Sequence, residues 1–236
     1  MKIHETKRDI LIAGEGPLIL LTAADSCAGI GQMPNDALKC PARTVGLFTA
    51  RVPLMELLAA GGEAVFASLT VGCAGDVADE LIEGARSALG GLPVIISTEK
   101  NMRISTTSLG VTVTARCRAG GLRLGHARGG DTLWCVGTPL VGGEVLESGG
   151  ILEPCHVAAL LSDKRVHALI PAGSHGVAFE AGIIAKESRL IPKLRDKAAV
   201  DVYKSAGPAT CAVFAAAPGD GTFAVGLPVF EIGALI

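Results

Sequence analysis

Apolar positions along the chain follow two rhythms. Short segments alternate or run continuously apolar, and a few longer ones repeat every three to four residues, which separates strands from helices. Residues 9–13 and 18–22 predict two strands joined by the Gly14-Glu15-Gly16-Pro17 turn, a combination suited to reversing a chain. Residues 42–60 carry Val45, Phe48, Val52, Met55, Leu58 and Ala59 at helical spacing, with Gly61-Gly62 as a stop and Pro53 as a predicted kink or break. A strand over 63–70, a helix over 76–89 opened by an aspartate, an almost wholly apolar strand of the buried type over 92–97 and an alternating strand over 111–114 follow. This order predicts a mixed α/β layer without internal repeats.

Residues 119–130 hold five glycines and little that can pack, which places a boundary there and gives two subdomains, 1–118 and 119–236. In the second half, strands are expected at 131–137, 166–170, 211–216 and 223–229. A helix is expected at 152–162, opening near Pro154, and another after the glycine-rich turn at 173–176, with Val177, Ala181, Ile184 and Ala185 on its apolar face.

The stretch 24–36, ADSCAGIGQMPND, reads as a loop leaving the apolar strand 18–22, with the carboxylate of Asp25 at the strand end beside flexible backbone. Ligands in open α/β folds sit outside strand ends, and a carboxylate there suits a metal-bound phosphate.

Composition narrows the options. At 236 residues and 49% apolar side chains the chain can bury a sizeable core. A net charge of −2, scattered lysines and arginines and 3% aromatic residues argue against a nucleic-acid partner. The N-terminus shows no signal peptide and no segment reaches membrane-span length, so neither secretion nor a membrane partner is expected. The seven cysteines are odd in number and widely spaced, which reads as reduced thiols in a cytoplasmic protein. Paired cysteines at zinc-ligand spacing, a nucleophile elbow and a Walker loop are all missing from the sequence, and Gly29-Ile30-Gly31 is too short for a dinucleotide fingerprint.

Asp25, Glu56 and Glu99 all fall at or near element ends, where hard oxygen ligands can converge on magnesium. Asp36 either assists a metal or caps the Pro34-Asn35-Asp36 turn. Lys39 and Arg43 lie beyond it as cations, and Lys100 and Asn101 stand beside Glu99 within reach of phosphate. His175, in Gly173-Ser174-His175-Gly176, sits at a helix start and is either a capping residue, a substrate contact or a general base. His156 reads as structural.

The order of these motifs resembles a known family. Asp25-Ser26-Cys27-Ala28-Gly29-Ile30-Gly31, a helix ending in Glu56-Leu57-Leu58-Ala59-Ala60-Gly61-Gly62-Glu63, Ser97-Thr98-Glu99-Lys100-Asn101-Met102, Gly130-Asp131 before a strand and Ser174-His175-Gly176 before a helix are similar to the aminoimidazole ribonucleotide synthetase superfamily. That family includes thiamine-monophosphate kinase, selenophosphate synthetase and a hydrogenase-maturation synthetase. The segments DSCAGIG, STEKNM, GSHG and KSAGPATC resemble its α-ribazole kinase-like members most.

The resemblance implies an α/β (α+β) fold of two subdomains, each a mixed sheet flanked by helices, with the N-terminal sheets pairing in a homodimer. It implies ATP and Mg2+ as cofactors, bound by the N-terminal half, and a C-terminal α/β domain completing the chain. Asp25, Glu56 and Glu99 are then the metal ligands. Gly29, Gly31, Asp36, Thr98, Lys100 and Asn101 contact the nucleotide, and Asp25 and His175 take catalytic roles. The implied activity is ATP-dependent phosphorylation of a hydroxyl on a small nucleoside-like metabolite, α-ribazole above others.

The chain departs from the family in three places. Ser26-Cys27 replaces a glycine, Glu56 replaces an aspartate, and only residues 1–8 precede the first expected strand where relatives carry a longer glycine-rich segment. Those departures keep two alternatives open: a catalytically inactive homologue that binds a nucleotide or metabolite, and a synthetase forming an iminophosphate or acyl-phosphate.

Overall fold

The computed structural model describes residues 2–236. Two compact units result, one of residues up to 57 with 62–120, the other of residues 58–61 with 121–236.

The first unit contains β1 (Ile3–Glu5), β2 (Ile10–Ala13), β3 (Leu18–Ala28), β4 (Ile30–Gly31), β5 (Leu38–Lys39), most of α1 (Ala42–Ala59), β6 (Glu63–Val71), α2 (Asp76–Leu89), β7 (Val94–Thr98) and β8 (Ser108–Arg118). Six of these strands form one sheet in the order β1-β2-β3-β8-β6-β7, while β4 and β5 make a separate short parallel pair. Strand alternation sends Ile19, Leu21 and Ala23 of β3, Val111 and Val113 of β8 and Ala67 and Leu69 of β6 into the core, with Leu81, Ala85 and Leu89 of α2 also buried.

Three expectations change. The strand ending at residue 22 in the sequence reading runs on to Ala28, because β8 is also eleven residues long and pairs with it from Leu18↔Arg118 to Ala28↔Ser108. Asp25 therefore lies inside a strand, and the loop begins only at Gly29. Pro53 does not break α1, whose residues Ala42, Val45, Ala50, Met55, Leu57 and Ala59 are buried; tertiary packing outweighs the missing amide. The apolar segment expected as a buried strand becomes β7 at the sheet edge, with Ile95 73% exposed, since only β6 pairs with it. Strand β1 also precedes the first strand expected.

The second unit holds β9 (Thr132–Gly137), α3 (Gly143–Glu147), α4 (Pro154–Ser162), β10 (Val166–Pro171), α5 (Val177–Glu187), β11 (Pro192–Leu194), β12 (Cys211–Ala216) and β13 (Val229–Leu235). Its five-stranded sheet has the order β10-β12-β9-β13-β11. Every residue of β12 is buried, as a central strand covered on both faces requires. Val177, Ala181, Ile184 and Ala185 of α5 pack into the same core as Leu133, Ile170 and Val213. The last strand starts at Val229, not Phe223: Gly226 adopts a positive φ of 71° and Pro228 has no amide to donate, so pairing begins after them.

Candidate functional site

Asp25 points to the same sheet face as Ile19, Leu21 and Ala23, so a carboxylate stands where the alternation otherwise places apolar residues. Burial pushes its pKa up to about 6, against a hydrogen bond from the Ser26 amide that favours the charged form; the nearby charge of Asp9 raises it further. Asp9 comes close because β2 pairs with β3 in the register Ile10↔Ala23, which brings the residue before Ile10 level with Ala24. Cys27, two residues beyond Asp25, has its thiol pushed up to about 11 by burial and by the Asp25 charge.

A cleft of about 570 Å³ opens at this strand pair, lined among others by Thr6, Arg8, Asp9, Thr22 and Ala24. Arg8 is buried to 6% exposure. The turn leading to it is held by the Thr6 hydroxyl, which donates to the Ile10 carbonyl at 2.8 Å and accepts from the Arg8 amide at 3.1 Å. Asp9 was absent from the sequence reading. The signal was present in the hairpin: once 9–13 and 18–22 pair through a four-residue turn, extending that register sets Asp9 level with Ala24, the residue before Asp25.

Asp36 occupies the far wall of the opening loop. Its Oδ1 accepts from the Thr107 amide at 2.7 Å, and its Oδ2 accepts from the Thr107 hydroxyl at 2.7 Å and the Met33 amide at 2.8 Å. Burial acts to raise its pKa, but these hydrogen bonds and the Lys39 charge outweigh it and hold the carboxyl below the usual range. Lys39 donates to the Met33 carbonyl at 2.6 Å, closing the same turn, and Arg43 pairs with Glu83 at 2.8 Å. Gly31 is fitted against this staple: a Cβ there would lie 2.3 Å from the Thr107 hydroxyl oxygen, at a φ of 151°. Gly29 has a φ of 72° and donates its amide to the Thr107 carbonyl at 2.9 Å. The loop is thus a braced structure, with Asp36 engaged inside it.

At the end of β7, Thr98 is half-buried and the Glu99 amide donates to the Val71 carbonyl at 2.8 Å. The Glu99 Oε1 accepts from the amides of Asn101 at 2.6 Å and Met102 at 3.1 Å, which hold its carboxyl below the usual range. Lys100 and Asn101 are exposed beside it.

The three expected metal ligands do not meet. The row Asp25↔Val111↔Leu69↔Ile96 crosses β3, β8, β6 and β7, so Asp25 and the β7 end are three strand spacings apart, about 14 Å. Glu56 lies on α1, seven residues beyond Thr49, whose side chain bonds the Cys27 thiol, and is half-buried. Among the described residues no three His, Cys, Asp or Glu side chains form a metal-holding group. The carboxylate whose charge acts on Asp25 is that of Asp9. Two hard carboxylate oxygens whose mutual charge is unfavourable match magnesium, which takes one or two carboxylates and completes its shell with phosphate and water.

In the second unit His175 is exposed before α5, its ring 4.6 Å from that of Phe179 at 35°. His156 accepts the Glu153 amide at Nδ1, 3.0 Å, completing the capping box of α4 as a structural residue.

No protein-family model and no curated protein sequence matches this chain. Solved structures do. A thiamine-monophosphate kinase from Stenotrophomonas maltophilia superimposes with a TM-score of 0.62 at 18% identity, over 97% of this chain and 89% of that one. A ThiL protein in complex with AMPPCP and TMP gives 0.62 at 18%, over 96% and 84%. Phosphoribosylformylglycinamidine synthase II from Thermotoga maritima gives 0.59 at 14%, over 97% of this chain and 37% of that one. At these identities the likeness is one of fold, and it extends through both units. The chain accordingly has the aminoimidazole ribonucleotide synthetase-like fold, shared with thiamine-monophosphate kinase.

Proposed function

We propose that the protein is an ATP-dependent, magnesium-requiring kinase of a small hydroxyl-bearing metabolite, with α-ribazole as the acceptor. The observation that carries this reading is the part-buried carboxylate of Asp25, its pKa raised to about 6 by burial and by the charge of Asp9, next to a cleft that Asp9 and Ala24 line. Asp25, with Asp9, would hold magnesium, whose chemistry there would be charge neutralisation at the transferring group, the main demand of phosphoryl transfer. Thr98, Lys100, Asn101 and the backbone at Gly29 and Gly31 contact the nucleotide. Glu99 and Glu56 serve separate phosphate or metal contacts, since they form no metal-holding group with Asp25. The solved ThiL complex with AMPPCP and TMP supports a nucleotide and a small phosphorylated acceptor for this fold.

A calorimetric titration with ATP and magnesium tests the reading first. Saturable binding that disappears on chelation is expected, and its absence sinks every ATP-using alternative. ADP release that depends on added α-ribazole, with phosphate found on its hydroxyl, then selects the kinase over a synthetase or an inactive homologue.

The first unit also suits pairing with a second copy. The sheet face away from the core exposes Leu11 at 39%, Leu18 at 55%, Leu20 at 43%, Phe66 at 44% and Ile95 at 73%. Large apolar side chains exposed together on one sheet face suit an interface. Sedimentation of the intact protein is expected to show a dimer, and Phe66→Lys with Leu20→Lys a folded monomer. An unchanged oligomeric state in that double variant would remove this face from the interface.

A further inference from the structure

We infer that residues 218–224 of the second unit form a strap closed over Trp134 and latched by Arg165, which lifts without unfolding the sheet beneath it. The cross-strand row Leu169↔Phe214↔Trp134↔Glu231 crosses β10, β12, β9 and β13. Strand alternation puts this row on the face opposite the α5 core, to which the flanking Leu133, Cys135, Ala168, Val213 and Ile232 belong. Trp134 is 8% exposed, and its indole Nε1–H, the only polar group of that side chain, finds no acceptor in the protein. A buried donor left without an acceptor weakens the arrangement that buries it.

The strap provides that cover. A Cβ on Gly221, whose φ is 73°, would lie 2.6 Å from the Trp134 ring carbon Cη2, so backbone rests directly on the indole. Phe223 closes the side, edge-on to Trp134 at 5.6 Å and to Phe214 at 4.9 Å between ring centroids.

Little else fixes it. Among the described residues the backbone of 218–224 makes no backbone hydrogen bond to a strand or helix. One guanidinium crosses to it instead. Arg165 donates from Nη2 to the Thr222 carbonyl at 2.6 Å, pairs through Nη1 with Asp220 at 3.4 Å and stands 4.7 Å over the Phe223 ring. Asp163, at the end of α4, holds the same guanidinium at 2.7 Å and so anchors the latch. Beyond the strap, the Ala217 amide donates to the Arg165 carbonyl at 2.9 Å and Val225 is buried, which leaves the residues between them free to move about two fixed ends. Closure thus sets a surface latch against an orphaned donor below it, and lifting gives the indole water as its acceptor. The device lies wholly within the second unit and involves none of the metal or nucleotide residues.

The single tryptophan makes the movement measurable. In the intact wild type, hydrogen exchange of the Trp134 indole proton is expected to run about 10-fold or more ahead of the β9 and β12 amides, with a weaker dependence on denaturant. Exchange at the rate of those amides, which reports global unfolding, overturns the strap. Acrylamide quenching of Trp134 fluorescence tests the latch. Arg165→Met, which keeps the stem and loses the guanidinium, and Gly221→Ala, which sets a methyl group against the ring, should each raise the quenching constant by about 2- to 5-fold at unchanged far-UV circular dichroism. Quenching at the wild-type level in both variants, or a rise seen only where the circular dichroism is lost, overturns the assignment.

Discussion

Asp25→Asn is expected to abolish magnesium-dependent phosphoryl transfer while making the metal-free protein more stable at pH 8. The two effects share one cause. In the folded protein burial and Asp9 raise the Asp25 pKa to about 6, whereas in the unfolded chain it returns to the ordinary carboxylate value. A group raised on folding contributes stability that is fully present below the unfolded pKa and is lost as pH rises through the folded one. Wild type should therefore weaken between about pH 4 and pH 7, by about 2 kcal/mol after allowing for solvent that still reaches the group. Asparagine keeps the shape and cannot ionise, so its melting curve should lack that fall. The two proteins should be equally stable near pH 4 and diverge above pH 6. Saturating magnesium and ATP should stabilise wild type alone, and the variant's rate should drop by about 100- to 1,000-fold. Full activity in the variant would take Asp25 out of the site; a loss of stability independent of pH would show a purely structural role.

The second large effect belongs to Asp36→Ala. Removing this carboxylate leaves the Thr107 amide, the Thr107 hydroxyl and the Met33 amide without their acceptor. Each buried group orphaned in this way costs about 1–3 kcal/mol. A combined loss of about 3–5 kcal/mol is expected, equivalent to a fall in Tm of about 10 °C. Because the Asp36 pKa is lowered on folding, its contribution is present above the unfolded pKa and is lost as pH falls through the folded one. Wild type and Asp36→Asn should therefore converge in strongly acidic solution, as thermal melts across pH would show. A Tm unchanged at pH 7 in Asp36→Ala would refute the staple.

Much of the fold was legible because its strands and helices obey their periods. The helix at α2 and the strands at β9, β10 and β12 fall where the apolar pattern puts them. Strand length was harder to read. The sequence after Thr22, Ala23-Ala24-Asp25-Ser26-Cys27, has the polar composition of a loop, and only the cross-strand partner at 108–118 extends β3 through it. The same long-range effect hid the edge position of β7, since local apolarity does not reveal how many neighbours a strand has.

The candidate site shows a parallel division. Asp25 drew notice through its motif, whereas the glycines read as flexible backbone and the structure shows the loop braced by Asp36 and Thr107. The separation of Asp25 from Glu99 was not, because order along the chain carries no information about the number of strands between them. Asp36 read as a turn cap or a metal ligand, and its partner Thr107 lies 71 positions away. Asp9 read as the first residue of a strand, and only the pairing with β3 sets it level with Ala24, where its charge acts on Asp25.

The eleven-residue ladder between β3 and β8 has a thermodynamic consequence. Asp25 is carried by backbone bonded along its length to a neighbouring strand, so little chain entropy remains for a cation to remove on binding. Amide exchange at Ala24–Cys27 should accordingly be slow before any ligand is added and change little afterwards, while the heat of binding reports electrostatic relief with only a small ordering component. A carboxylate on a free loop would behave in the opposite way, gaining protection only when the ion arrives.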